Sequence, residues 1–290
     1  MEKKEEYEVI DIMDSRYPPL LRQLDKKAPE RLWCAGDVSL MNERCVAVVG
    51  SRKPSQYGKW TAFNAGRKLA HYGIVTVSGM AMGCDSEAHR GAVEEGGKTI
   101  AVLGCGIDIC YPERSYALRS SIIKNGLIIS EFPPGTPPRP ANFPQRNRII
   151  SGLSEITVVA EAALSSGSLI TAGYAAEQGR EVMAAPGYIT NPMSIGCNKL
   201  IQDGVTPLVC LDDIIRALKL NVSAKPSEIS SELGKDERII YETVKMNGEV
   251  SADFIASKTG KRIQEINSLV AILEIKGFVL TSMGKIYVAK

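Results

Sequence analysis

From Cys45 onward the chain alternates short, continuous apolar runs with segments of helical period, and this rhythm restricts the fold more than any other feature. The runs are CVAVVG (45–50), IVTVS (74–78), KTIAVLG (98–104), LIISE (127–131), EITVVA (155–160), EVMAAP (181–186) and VTPLV (205–209). They are continuous rather than alternating, as in strands buried on both faces of a parallel sheet. Between them lie segments such as KWTAFNAGRKLAHYG (59–73), where Trp60, Phe63, Leu69 and Ala70 recur near helical spacing and Gly73 suits a helix stop. Alternation on this length scale builds βαβ units with right-handed crossovers. The expectation is an α/β domain over residues 45–218, with a doubly wound, mainly parallel sheet.

The rhythm stops at about residue 219. Residues 219–235 are rich in Ser, Lys and Glu, contain Pro226, and read as a linker. Residues 236–290 then show three helical segments (236–248, 251–260, 261–277) and a hairpin turning at Met283–Gly284, the pattern of a small winged-helix domain. Ten Lys/Arg against nine Asp/Glu over 221–290 leave this part nearly neutral, a faint footprint for duplex DNA, so protein docking stands beside DNA binding. Residues 1–44 carry turn prolines and apolar anchors and are expected to pack on the edge of the main domain as an extension.

Composition bounds the rest. With 44% hydrophobic and 23% charged residues over 290 positions, the chain is globular in type and long enough for two domains. The net charge is only +2, so any phosphate-binding surface has to arise from local clustering of Arg and Lys. The start, MEKKEEYEVIDIMD, mixes charges of both signs and lacks the apolar core of a signal peptide; no run approaches a membrane span. Seven scattered cysteines without a C-x-x-C pair point to reduced thiols and a cytoplasmic setting. The only histidines, His71 and His89, have no partner at ligand spacing, so no metal is expected.

In an open parallel sheet, ligands bind beyond the carboxyl ends of the strands, where helix N-termini present unpaired N–H groups. Those ends here carry Gly50-Ser51-Arg52-Lys53, the loop from Ser78 and Gly79 to Gly83, Gly104-Cys105-Gly106, and Ser165-Ser166-Gly167-Ser168. Any one of these is an ordinary tight turn. Together they line one rim with backbone amides, hydroxyls and a guanidinium suited to phosphate. The loop FPPGTPPRPANFPQRNRII (132–150) adds Arg139, Arg146 and Arg148 with no acidic residue, and Phe132 and Phe143 among them. Arginine for phosphate and aromatic faces for bases suit a single-stranded nucleic acid, although Phe132 beside a strand reads as a core anchor.

Enzymatic readings have less to stand on. G-x-G at 104–106 lacks the third glycine of a dinucleotide fingerprint, and no Walker-type loop occurs. Asp85 reads as an N-cap that, with His89 four residues on, pins the 78–83 loop. Glu131 and Glu161 close what read as adjacent strands, where they form a carboxylate pair, cap helices or orient arginines.

The blocks at 46–62, 77–92, 99–112, 129–154, 158–187 and 194–204, including VAVVGSRKPSQYGKWTA and ISEFPPGTPPRPANFPQRNRIISGLS, resemble the DNA processing protein A (DprA/Smf) family in order and spacing over roughly residues 15–215. The resemblance implies a Rossmann-like core that binds single-stranded DNA without sequence preference, helps load RecA recombinase during natural transformation, acts as a homodimer, and has no accepted catalytic activity and no cofactor. It places DNA contacts at Arg52, at Arg146, Asn147 and Arg148, and at Ser166, Gly167 and Ser168. Met82 stands where the family commonly has arginine, which removes a charge from the rim. Only 44 residues precede the first core strand, so the amino-terminal helical domain of many members is expected to be absent or reduced. The alternatives are a nucleotide-hydrolysing enzyme, disfavoured by the lack of a Pro-Gly-Gly-x-Gly-Thr signature, and a small-nucleotide sensor that signals through the winged helix.

Overall fold

A computed structural model describes residues 6–222, 233–276, 278–282 and 284–288. The chain divides into two compact units, Met1–Val222 and Ser223–Lys290.

The first unit is built on a nine-stranded sheet. Its strands are β1 (Glu8–Asp11), β2 (Arg31–Gly36), β3 (Cys45–Val49), β4 (Val75–Ser78), β5 (Thr99–Leu103), β6 (Leu127–Ser130), β7 (Ile156–Val159), β8 (Glu181–Ala184) and β9 (Thr206–Pro207). Spatial order is β1-β2-β6-β5-β4-β3-β7-β8-β9. From β6 to β9 every pairing is parallel. Each of the seven apolar runs therefore forms a strand, and the runs are continuous because both faces of the sheet are covered.

Alternate side chains of the strands feed two cores. Cys45, Ala47 and Val49 of β3 pack with Ile149, Ile150 and Leu153 of α5 (Asn142–Gly152), Ala172 and Ala175 of α6 (Gly167–Glu177), and Cys197 of α7 (Ile195–Gln202). Val46 and Val48 face the opposite way, onto Ala62, Ala65 and Leu69 of α2 (Gln56–His71), Ala88 of α3 (Cys84–Glu94), and Ile214 and Ile215 of α8 (Asp212–Ala217). The other α-helices among the described residues of this unit are α1 (Pro19–Arg22) and α4 (Tyr116–Asn125). The period-2 geometry of β3 thus delivers its neighbours to two helical layers, the doubly wound arrangement.

Two local features differ from the sequence expectation. Residues 8–36 do more than pack on an edge: β2 is hydrogen-bonded antiparallel to β6, and β1 antiparallel to β2, so both extend the sheet. Second, the buried face of α2 is not the large-residue stripe. Gly58, Thr61, Ala62, Ala65, Gly66 and Leu69 are buried, whereas Trp60 is 46% exposed. Close approach of α2 to α3 selects small side chains: a Cβ on Gly66 would collide with the carbonyl of Ala88, and one on Gly91 with that of Phe63.

In the second unit, helices Lys235–Asn247, Ala252–Thr259 and Ile263–Ile275 precede an antiparallel hairpin, Val279–Ser282 with Lys285–Val288. They enclose their own core, centred on Ile240, Val244, Ile255, Ile266 and Leu273. Most of the expected linker, and Met283 of the expected turn, lie outside the described residues.

Because the obstacle at Gly66 is backbone, Gly66→Ala has to push α2 and α3 apart. The expected cost is about 1–3 kcal/mol, read as a lower urea midpoint at unchanged slope. Stability within a few tenths of wild type would contradict such close helix contact.

Candidate functional site

The winding of the sheet reverses between β3 and β7. From β3 the chain steps through β4 and β5 to β6 on one side; from β7 it steps through β8 to β9 on the other. Loops leaving β3 and β7 therefore diverge and open a crevice beyond the strand ends, the usual ligand position in such sheets. A cleft of about 670 Å³ lies here, lined by Gly50–Lys53 after β3, Ser165–Ser168 after β7, Phe143, Arg146 and Asn147 of α5, Asp85 of α3, and Tyr111.

The β3 loop is held from below by Glu161, the first residue but one after β7, which is 1% exposed. Its carbonyl accepts the Ser51 amide at 2.8 Å. Its carboxylate accepts the Ser55 amide at 2.7 Å and the Ser55 hydroxyl at 2.5 Å. Ser55 in turn caps α2, its Oγ accepting from Gly58 N at 3.2 Å. A buried anion at a helix N-terminus is favourable, and Gly58 is needed because a Cβ there would strike the carboxylate. Both ends of the 51–55 loop are thereby pinned, and Arg52 and Lys53 project exposed from its centre.

Arg52 lies over the Phe143 ring, 5.1 Å from guanidinium carbon to centroid, and the Tyr111 ring stands 5.4 Å from Phe143 at 36°. On the other wall Ser166 caps α6; its Oγ accepts from Ser168 N at 3.4 Å and lies 2.7 Å from Ser168 Oγ. Gly167 has open space beside it, so a ligand can approach the helix terminus closely. Asn147 joins the walls through its Nδ2, which donates to Gly167 O at 3.3 Å. Arg139 is exposed between Pro138 and Pro140, which line the cleft.

Several expected contacts are used inside the protein. Ser78 is fully buried, and its hydroxyl donates to Val48 O at 2.6 Å. The Asp85 carboxyl faces the amides of Gly79 and Ala81, within the 78–83 loop that was expected to offer amides to a phosphate. Burial raises the Asp85 carboxyl above the ordinary range, opposed by the charges of Arg146 and Arg52.

Arg146 is only 3% exposed. Its guanidinium donates to the carbonyls of Gly79 (2.8 Å) and Val102 and packs against Gly79 where a Cβ would sit. Burial pulls it down to about 10, so it remains charged at neutral pH. It belongs to the cleft floor as a brace and a fixed charge, and its Nε has no hydrogen-bond partner among the described residues.

Arg148 stands apart from the cleft. It makes a double hydrogen bond to Glu131, both contacts 2.6 Å, and further bonds to Lys27 O and Gln145 O, each 2.8 Å. It directly follows Asn147 on α5, about 100° further round the helix, and so points away from the wall that Arg146 and Asn147 occupy.

The expected carboxylate pair does not form. In the sheet β5, β4 and β3 lie between β6 and β7, which sets the ends carrying Glu131 and Glu161 roughly 19 Å apart at four strand spacings. Nor do Asp85 and His89 pin the loop together. Asp85 lies within α3, after the N-cap Gly83, and His89 Nδ1 lies 2.7 Å from Thr99 Oγ1 of β5. Among the described residues no group of three or more His, Cys, Asp and Glu is placed to hold a metal ion. No helix among them is long and apolar enough to cross a membrane.

Sequence reasoning missed Tyr111 and Asp85 as wall residues. The Arg-plus-aromatic rule, extended to the loop after β5, would have found Tyr111. Asp85 was read as a pin of the 78–83 loop but not as a cleft residue, because its place on the wall depends on how that loop folds.

The chain matches the family model for DNA recombination-mediator protein A over residues 8–219. It is 38% identical over 277 residues to Protein Smf of Escherichia coli, covering 92% of this chain and 74% of that one. It is 42% identical over 206 residues to DNA processing protein DprA of Streptococcus pneumoniae, covering 71% and 72% of the two chains. The solved structure of the Streptococcus pneumoniae protein superposes with a TM-score of 0.70 at 40% identity, over 73% of this chain and 75% of that one. The structure of DNA processing protein A from Helicobacter pylori, described for its unique single-stranded DNA binding mode, gives 0.67 at 29% identity, over 75% and 98%.

Arg148→Ala would leave the Glu131 carboxylate, whose side chain is 9% exposed, without its cation. The expected loss is about 3–5 kcal/mol in a urea titration; near-wild-type stability would return Arg148 to the ligand candidates. His89 gives a pH signature. Burial lowers its pKa from 6.5 to about 3. Below pH 6.5 the unfolded chain binds a proton that the folded ring refuses, so the stability present above that pH is lost as pH falls toward 3, by at most about 1.4 kcal/mol per pH unit. His89→Gln should flatten the urea midpoint between pH 7 and 5; an unaltered slope would count against a neutral buried ring.

Proposed function

The chain belongs to the DNA recombination-mediator protein A family, and from that premise we propose that it binds single-stranded DNA without regard to sequence through the cleft between β3 and β7. The observation that carries this reading is the composition of that cleft. Arg52, Lys53 and the capped N-terminus of α6 supply charge and donors for phosphate, while Phe143 and Tyr111 supply aromatic surface for bases. None of these groups reads base edges, so recognition falls on the backbone and on stacking.

Within this reading the site residues fall into two groups. Gly50, Ser51, Arg52, Lys53, Arg139, Asn147, Ser166, Gly167 and Ser168 face or flank the strand. Ser78, Gly79, Arg146 and Arg148 act from behind it, as braces or a buried charge. Glu161 joins that second group, because the orientation of Arg52 and Lys53 depends on it. As in the family at large, the bound strand would be sheltered and handed to RecA recombinase, and a homodimer would double the number of clefts on one strand.

The carboxylates that a nucleotide hydrolase would use, Glu131 and Glu161, are bonded to Arg148 and to Ser55. No observation favours turnover over binding. The helix Ile263–Ile275 carries Glu265 and Glu274 and no Lys or Arg, so this helix itself offers phosphates no cation.

Affinity for oligo-dT should fall with salt at a log–log slope of about −0.7 per phosphate contacted. Arg52→Ala should weaken binding roughly 10- to 100-fold for every sequence tried, with a shallower slope. Glu161→Gln, which keeps the shape and loses the charge, should fall between wild type and Arg52→Ala. Wild-type affinity and slope for Arg52→Ala would remove the cleft from consideration.

A further inference from the structure

Beside the cleft an exposed aromatic patch has no role in the contacts described so far. Tyr57 and Trp60, one turn apart on α2, are 44% and 46% exposed; Tyr188 and Ile189, in the loop after β8, are 84% and 88% exposed. The two segments are tied together: the Tyr57 hydroxyl donates to Pro186 O at 2.9 Å. The loop is anchored where it leaves β8, since Gly187 N donates to Asn198 Oδ1 at 3.1 Å and Asn198 Nδ2 donates to Gly187 O at 2.9 Å. It then turns through Asn191 N→Tyr188 O and Ser194 N→Asn191 O. Tyr188 thus stands exposed on backbone that is held at several points.

Both segments of the patch run on from the cleft wall, and Gly187 packs against Ser194, next to the wall residue Met193. Lys53, on the cleft wall, lies four residues before Tyr57; Met193, also on the wall, lies five residues after Tyr188. The half-buried Lys59 lies between Tyr57 and Trp60 in sequence. Exposed rings at the margin of a phosphate-binding cleft, with cations nearby, are the chemistry of a stacking platform for unpaired bases.

We infer that single-stranded DNA leaving the cleft past Lys53 runs over this patch and lays its next bases on Tyr188 and Trp60, so that the binding site is longer than the cleft. The inference rests on the cleft being the phosphate site. It names single-stranded DNA as the occupant because the patch continues that site; an apolar contact between two copies of the chain is the rival that the test has to eliminate.

Both rings are exposed, so replacing them leaves the core intact. The full-length chain is titrated with dT15 and with a 15-mer of the same backbone whose sites are all abasic. Tyr188→Ala and Trp60→Ala should each weaken dT15 binding about tenfold and leave the abasic strand unaffected, while Tyr188→Phe and Trp60→Phe should restore affinity. The chain has two tryptophans, Trp33 and Trp60. In a Trp33→Phe background, dT15 should therefore quench Trp60 emission and the abasic strand should not. Unchanged dT15 affinity in both alanine variants, with no quenching, overturns the inference, as does a loss of self-association on sedimentation without loss of DNA affinity. If Arg52→Ala weakens both strands while the patch variants do nothing, only the longer site is lost. If neither strand binds wild type, the cleft reading itself fails.

Discussion

Strands β3 and β7 are hydrogen-bonded neighbours whose chains leave in opposite directions, and the site depends on that divergence. Every other pair of neighbouring parallel strands is joined by a crossover helix; this pair is not, and its two departing loops leave a crevice. The loop after β3 brings Arg52 and Lys53, and the loop after β7 brings the N-terminus of α6. α5, which precedes β7, closes the third side with Phe143 and Asn147. No single segment contains the site, and its parts span more than a hundred residues of chain, from Gly50 to Ser168.

A crevice of this kind works only if its donors are not taken up by the protein, and here most of the competition is internal. The Asp85 carboxyl faces the amides of Gly79 and Ala81. Glu131 neutralises Arg148. Glu161 takes the Ser51 amide and both donors of Ser55. Each arrangement satisfies polar groups that would be costly to bury unpaired. Their combined effect is selective. Donors beneath the rim are consumed, while Arg52, Lys53 and the α6 terminus stay available because they sit at the tips of loops braced from behind. Arg146 is intermediate, bonded through two carbonyls yet bordering the cleft as a buried charge.

The same contrast explains which expectations held. The strands after Cys45 were legible because burial on both faces demands unbroken apolar runs, and the Gly-Ser-Arg and Ser-Gly-Ser turns because they directly follow such runs. Trp60 misled because the periodicity follows large residues, whereas the α2–α3 contact needs glycine and alanine. Glu131 and Glu161 misled because chain order placed their strands next to each other and sheet order did not. Strands β1 and β2 were obscured by the turn prolines around them; β2 is held by pairing with β6, and β1 by pairing with β2.

By itself the sequence determined the α/β class, the strands, the rim loops, the second unit and the resemblance to a family of single-strand binders, because each of these is written in local periodicity, turn chemistry or contiguous motifs. Only the tertiary structure decided which arginines stay exposed at the cleft. Arg52, Arg146 and Arg148 are alike in sequence, each a cation in a loop or helix start free of nearby acids. What separates them is the carboxylate or carbonyl that folding brings to within 3 Å, and those acceptors come from Glu131, Gly79, Val102 and Lys27, residues remote in the chain.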